Sequence, residues 1–174
     1  GEGGLSAELV DSAAARWRKN DARCGTFRAE EQSMAQLNMM TPVLALISWT
    51  FVMWLWMYAT RIPAMNRAGL DPKVIKRKDE LEVLPVWVKQ VADNYNHLHE
   101  QPTVFYALVF YSHLVGVADS LNAKLAWAYV GLRIVHSLVH ATRNFVPVRF
   151  SLFAAASLVL MVITARNIAA LCAW

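Results

Sequence analysis

The sequence has few of the residues that hold small secreted or zinc-stabilised domains together. Its 174 residues include only two cysteines, Cys24 and Cys172, which excludes a disulfide framework and a cysteine-based zinc ribbon. Charged residues make up 17% of the chain, against about 25% in ordinary soluble domains. Glycine is too scarce for a collagen-like chain, and a hydrophobic fraction of 56% excludes disorder. The length fits one domain.

The apolar residues are concentrated in four stretches that carry little charge. A membrane-spanning helix needs about 20 mostly apolar residues. The four stretches are Met39–Ala59, Pro102–Ala118, Leu125–Ala141 and Phe150–Ala165. We therefore predict an all-α integral membrane protein, an up-down bundle of four transmembrane helices within residues 39–174.

The first 38 residues differ in character from this four-span domain, and we interpret residues 1–38 as an N-terminal extension. The segment from Leu5 to Cys24 could form a short amphipathic helix, with Leu9 and Trp17 on its apolar side. Such a helix would lie on the membrane surface or against a partner protein. A disordered tail fits the same residues equally well.

Basic residues indicate the orientation of the spans. Seven lysines and arginines follow the first span, whereas the loop between the second and third spans has only Lys124. Arg143 and Arg149 lie between the third and fourth spans. The positive-inside rule therefore places the first and third loops in the cytoplasm and both termini on the other side. Because these loops explain the net charge of +4, we expect no nucleic-acid partner.

Polar residues gather at the cytoplasmic end of the predicted bundle. Arg61 closes the first span, Asp93–Glu100 opens the second, and Arg149 opens the fourth. On the third span, five polar residues follow helical spacing along one face: Tyr129, Arg133, His136, His140 and Arg143. An arginine at that depth must face the bundle interior or a subunit interface. We expect Glu100 to be the partner of Arg133.

The arginines at this end have two interpretations. A pair between Arg133 and Glu100 could serve only to fix the register of the helices. However, Arg61, Arg133 and Arg149 outnumber the one evident carboxylate, and surplus buried positive charge needs an anion or water. The surplus favours an anionic ligand near the cytoplasmic boundary.

The histidines resemble a metal site in their spacing alone. His97-x-His99 and His136-x3-His140 match known metal-ligand spacings. The neighbouring arginines would repel a cation, and on a helix His97 and His99 point about 200° apart. We expect neutral, hydrogen-bonded histidines and no metal.

At these positions the sequence resembles the MAPEG family, the membrane-associated proteins of eicosanoid and glutathione metabolism. The matching segments are Asn96–Tyr106, Arg133–His140 and Val148–Phe150, together with Asn144. Their order, combined with four spans and a basic first loop, carries the resemblance over about residues 40–172. The overall pattern is closest to the little-studied bacterial members.

The resemblance implies a homotrimer in the bacterial inner membrane, with glutathione bound between neighbouring subunits near the cytoplasmic face. By position, Arg149 matches the arginine near the glutathione sulfur and is the expected catalytic residue. The residues expected to bind glutathione are Arg61, Asn96, His97, Glu100, Arg133, His136 and His140. A guanidinium beside a thiol favours the thiolate. The thiolate could then attack a lipophilic electrophile or reduce a peroxide.

The sequence also departs from the family pattern. His97 stands where the family has asparagine, Asp93 where it usually has arginine, and His140 where tyrosine is common. Two functions therefore stay open. The first is a glutathione-dependent membrane transferase or peroxidase acting on lipophilic electrophiles or hydroperoxides. The second is a non-catalytic structural or accessory subunit of a larger membrane complex, joined through residues 1–38.

Overall fold

The computed structural model describes residues 39–71 and 77–172, and their regular secondary structure is entirely helical. They form five α-helices: α1 (Met39–Arg67), α2 (Val86–His97), α3 (Gln101–Leu114), α4 (Ser120–Ala141) and α5 (Val146–Cys172). A short 3-10 helix, Lys78–Leu81, precedes α2. The predicted amphipathic segment from Leu5 to Cys24 and the domain boundary after residue 38 lie outside the described residues.

Two of these helices, α1 and α5, are long and apolar enough to cross a membrane. They have 29 and 27 residues, and at about 1.5 Å per residue each exceeds the ~30 Å hydrocarbon core of a bilayer. The shorter α3 has only 14 residues, and α4 carries Arg133 with two histidines in its second half. The helical class is confirmed, and two helices meet the requirement for spanning.

The segment before the second predicted span forms a separate helix in the structure. Residues 93–97, which we expected to open that span, instead end the separate helix α2. Leu98–Glu100 form a turn, and α3 begins with Pro102 in its first turn. A continuous helix would need an N–H from Pro102 to reach the carbonyl of Leu98, and proline has none. Proline is tolerated in the first turn of a helix, so the chain breaks immediately before it.

The main core lies between α1, α3, α4 and α5. Its buried side chains include Leu46 from α1, Phe105 from α3, Tyr129 from α4 and Leu160 from α5. The rings of Phe105 and Tyr129 stack with centroids 4.5 Å apart. A second core cluster joins α1 and α2 to Ala141, at the end of α4. Because Ala141 is the last residue of α4, this second cluster lies at the same end of the bundle as the polar residues.

Buried polar pairs fix the helices to one another. Asn94 on α2 donates from Nδ2 to Ser137 Oγ on α4 at 2.5 Å. Asn167 on α5 donates from Nδ2 to Ser112 Oγ on α3 at 2.7 Å. All four side chains are buried, and hydrogen bonds of this kind hold helices together where apolar packing alone specifies little.

Large apolar side chains on the outside of α1 and α5 face away from the bundle. Leu44, Phe51 and Leu55 on α1 are each at least 59% exposed, as are Leu158 and Met161 on α5. Contiguous apolar surface of this kind marks a membrane or protein contact. The exposed faces belong to the two helices that are long enough to span, which supports association with membrane lipid.

Candidate functional site

Arg133 is the most deeply buried charged residue that the structure describes, with 1% of its surface exposed. Its Nε donates to the hydroxyl of Tyr129, one helical turn earlier, at 3.0 Å. Its Nη2 donates to Oε1 of Gln101 at the start of α3. Its Nη1 has no hydrogen-bond partner in the described part of the chain. The guanidinium therefore keeps one unused pair of N–H donors inside the bundle.

The expected partner of Arg133, Glu100, does not contact it. Glu100 lies in the turn before α3, where its side chain is 64% exposed and pairs with Nδ1 of His97. The inward position belongs to the next residue, because α3 begins at Gln101. The prediction of an Arg133–Glu100 ion pair is wrong, and the arginine is held by a neutral amide.

Gln101 links three helices, and sequence reasoning missed it as a site residue. Besides accepting from Arg133 on α4, it donates from Nε2 to Ser157 Oγ on α5 at 2.6 Å. Its position directly before Pro102 was the available signal. The position of a helix break determines the direction in which the side chain of the next helix's first residue points.

Three imidazoles meet beside this arginine. The ring centroids of His97 and His136 lie 5.6 Å apart, those of His97 and His140 lie 5.8 Å apart, and those of His136 and His140 lie 5.9 Å apart. Phe153 on α5 stacks against His97 with its centroid at 6.0 Å. The same Phe153 ring lies 5.3 Å from the Arg133 guanidinium carbon. We call His97, His136, His140 and Phe153 the histidine cluster.

From its middle to its end, α4 thus carries the polar stripe as the spacing predicted. Tyr129, Arg133, His136 and His140 are all buried. Arg143 lies beyond the end of α4 and is exposed, so it does not belong to the buried face. His99 also faces away: it is exposed, and its Nδ1 bonds to the carbonyl oxygen of Tyr95 at 2.9 Å.

Arg149, near the start of α5, lies next to the histidine cluster. Its charge acts on both His136 and His140. Its Nη1 donates to Oδ1 of Asn144, in the turn between α4 and α5. That turn is tight, and Asn144 has a φ of 52°, a conformation that asparagine tolerates better than most residues. The Nε of Arg149 is buried and lacks a partner among the described residues.

The remaining expected ligands, Arg61 and Asn96, lie elsewhere. Both line a separate cavity of about 280 Å³ between the end of α1, the segment before α2, and α2 itself. His97, Arg133, His136 and His140 do not line it. Within the chain, the expected glutathione ligands therefore fall into two groups.

The donors around the histidine cluster suit an anionic or hydrogen-bond-accepting ligand. Unpartnered N–H or ring nitrogen atoms remain on Arg133 (Nη1), Arg149 (Nε) and His140 (Nδ1). Guanidinium groups in a low-dielectric setting bind carboxylates and other anions through short charge-assisted hydrogen bonds. Within the described ranges, no group of three or more His, Cys, Asp or Glu is arranged to hold a metal ion.

Comparison with known proteins identifies the scaffold. The family model of the MAPEG family matches residues 39–169, which is well over half of the chain. No curated protein and no solved structure matches it. The matched range contains all five helices except the last residues of α5, and it contains every arginine and histidine of the two groups described above. The chain belongs to the MAPEG family.

Proposed function

We propose that this protein is a glutathione-dependent membrane transferase or peroxidase. The family includes glutathione-dependent transferases and peroxidases as well as accessory members. The observation that carries the proposal is the set of buried, unpartnered nitrogen atoms on Arg133, Arg149 and His140, in and beside the histidine cluster. Buried polar groups are ordinarily satisfied, so donors left open at one end of a bundle indicate a ligand that completes them.

In this proposal, Arg149 lies beside the glutathione sulfur. A fixed guanidinium lowers the pKa of a nearby thiol because it favours the charged form. The resulting thiolate attacks a lipophilic electrophile and forms a carbon–sulfur bond as the leaving group departs with its bonding electron pair. With a hydroperoxide, the thiolate sulfur takes one oxygen as the oxygen–oxygen bond breaks, which gives a sulfenic acid and an alcohol. A second glutathione then converts the sulfenic acid into the disulfide and water. The acceptor reaches the site from the bilayer, past the apolar outer faces of the long helices.

The two groups of expected ligands are consistent with a site shared between protomers. Arg61 and Asn96 line a different cavity from the residues of the histidine cluster. In the homotrimer we propose, a neighbouring protomer brings the first group towards the second, and glutathione lies between the two. His97 and Glu100, which pair with each other, then border the cleft from one side.

We also propose a location and an orientation. The protein lies in the bacterial inner membrane, with its first and third loops in the cytoplasm and both termini on the other side. Residues 39–174 form the membrane domain and residues 1–38 an extension. The basic residues after the first span, together with the uncharged face of α1, support this orientation.

A second function has an observation of its own. Two of the three nitrogens of Arg133 are already bound by neutral side chains, those of Tyr129 and Gln101. Fixing the register of the helices is a sufficient role for a network of this kind, without any ligand. It favours a non-catalytic structural or accessory subunit that keeps the family scaffold inside a larger membrane complex, with residues 1–38 as the contact.

A titration separates the two functions. Purified protein in detergent is titrated with glutathione, and thiolate formation is followed by its ultraviolet absorbance. A saturable thiolate signal is expected from the wild type and is lost in Arg149→Ala, with the oligomer unchanged. Arg143→Ala is the matched control, because Arg143 has the same charge but is exposed. An absent wild-type signal, or an unchanged signal in Arg149→Ala, contradicts the catalytic proposal.

A further inference from the structure

His97 differs from the other two imidazoles of the histidine cluster because a carboxylate lies beside its ring. Its Nδ1 pairs with Oε2 of Glu100, three residues later. An ionised carboxylate only accepts hydrogen bonds, so it holds the proton of a neutral imidazole on Nδ1. The other ring nitrogen, Nε2, then carries the lone pair, and it forms no hydrogen bond among the residues that the structure describes. His97 therefore presents an oriented proton acceptor.

Three aromatic rings pack around that of His97. Phe153 lies nearly parallel to it, with an interplanar angle of 10° and ring centroids 6.0 Å apart. The centroids of His136 and His140 lie at 5.6 and 5.8 Å. The side chain of His97 is 28% exposed, whereas that of Glu100 is 64% exposed. The pair thus extends from the buried cluster to water at this end of the bundle.

The formation of a thiolate at this site requires an acceptor for the thiol proton. Arg149 favours the thiolate through its charge, but a guanidinium stays protonated and accepts no proton. A neutral imidazole is the acceptor that enzymes use most often. A carboxylate at its far nitrogen fixes the orientation of the ring and stabilises the imidazolium that forms.

We propose that His97 is the general base that takes the glutathione thiol proton at Nε2. Glu100 is the positioning residue, which orients the ring and stabilises its charged form. Neither His136 nor His140 has a carboxylate partner in the described part of the chain. This assignment rests on the proposed glutathione-dependent function and names the proton acceptor that the function needs.

Protons and electrons balance in both reactions. The S–H bond breaks, its electron pair stays on sulfur, and the proton bonds to Nε2 of His97. With a hydroperoxide, the alkoxide released as the oxygen–oxygen bond breaks takes this proton back and becomes the alcohol. With an aryl halide, the halide departs with its bonding electron pair, and the proton passes to water beside the exposed Glu100.

Two substitutions and two matched controls test the assignment with the full chain in detergent. His97→Asn removes the base but keeps a side chain that hydrogen-bonds, and Glu100→Gln keeps an acceptor for Nδ1 without its charge. His99→Asn and Glu80→Gln are the controls, because both residues are exposed and neither belongs to the cluster. Calorimetry measures glutathione binding, and turnover of chlorodinitrobenzene is measured across a range of pH.

We expect His97→Asn to lower kcat about 100-fold or more, because a positioned base contributes about 10²–10⁴-fold, and to change glutathione binding far less. A base acts only when unprotonated, so the wild-type rate rises with pH. In His97→Asn that rise moves to higher pH, because the thiol must lose its proton to solvent. In Glu100→Gln it moves to lower pH with a smaller kcat, because the imidazolium has lost the adjacent carboxylate that favours it.

The shifts in pH dependence report on the His97–Glu100 pair. The other titratable or charged groups around the cluster stay in place in all four variants, and they are Arg133, His136, His140 and Arg149. A rescue experiment adds a readout that a purely structural role does not give. His97→Ala is inactive alone, and added imidazole restores its turnover by supplying the missing base.

The outcomes separate this assignment from the function on which it rests. If the wild type binds and turns over glutathione while His97→Asn keeps the wild-type kcat and pH profile, His97 is not the base and the glutathione-dependent function stands. The same conclusion follows if His97→Ala still binds glutathione and imidazole restores no turnover. A folded, oligomeric wild type that binds no glutathione contradicts the function itself, and the assignment is overturned with it.

Discussion

Gln101 is the neutral side chain that holds a buried arginine, and its replacement tests how the bundle accommodates that charge. Gln101→Met keeps the length of the side chain and removes the amide. The change deletes a hydrogen bond to charged Arg133, worth about 1.5–3 kcal/mol, and the bond to Ser157, worth about 0.5–1.5 kcal/mol. Because Arg133 is only 1% exposed, water cannot replace the lost acceptor. We expect the free energy of unfolding to fall by about 2–4 kcal/mol.

The assay is reversible unfolding of the detergent-purified protein, followed by far-ultraviolet circular dichroism. Gln90→Met is the matched control, since Gln90 is half-buried on α2 and forms no hydrogen bond among the described side chains. Gln101→Glu is a second variant. Its carboxylate still accepts from Arg133 but no longer donates to Ser157, so we expect it to lose less stability than Gln101→Met.

Equal stability of Gln101→Met and the wild type would refute this reasoning. It would mean that Arg133 obtains its acceptor elsewhere, for example from a neighbouring subunit. A Gln101→Glu variant less stable than Gln101→Met would refute it too, because a buried charge pair would then cost more than an arginine without an acceptor.

Three further predictions concern the packing of the helices, and the same unfolding assay measures all of them. Asn167→Leu removes the partner of Ser112 and should cost about 1–3 kcal/mol by leaving a buried hydroxyl with one bond fewer; an unchanged stability would show that the α3–α5 pair is dispensable. Asp119→Ala removes both the N-cap of α4 and the ion pair with Arg166, and a loss of about 1–2 kcal/mol is expected, mostly from the cap. Gly116→Ala places a side chain at φ +73° and should destabilise by about 1 kcal/mol, so a gain in stability would contradict the strained geometry.

The buried stripe on α4 could be predicted from spacing, whereas its partners could not. Tyr129, Arg133, His136 and His140 share one face at any position of a regular helix, so periodicity alone identified the face that the structure buries. The partner of Arg133 depended on where the next helix begins. A start at Gln101 rather than one residue earlier turns the inward direction by about 100°, which exchanges a carboxylate for an amide.

The division of the expected ligands into two groups also could not be predicted from the sequence. All of the expected ligands lie near one end of the predicted bundle. The four-span prediction does not specify whether Arg61 lies beside His97 or away from it. The structure separates them because α2 is a helix of its own, and its residues Asp93 and Asn96 line a cavity with the end of α1. The prediction of four continuous spans does not include α2 as a separate helix.

The length of α1 has a consequence for how the protein responds to its bilayer. Its uncharged part, residues 39–60, is about 33 Å long at 1.5 Å per residue, close to the thickness of an average hydrocarbon core. The helix continues to Arg67, so its last two turns project into the head-group region and carry the wall of the Arg61 cavity with them. In a thinner membrane, a helix of this length tilts rather than sinks, at a cost of fractions of a kcal/mol per ångström of mismatch. Acyl-chain length would therefore rotate the mouth of the cavity while leaving its depth nearly constant, which makes bilayer thickness a control on access to the cavity.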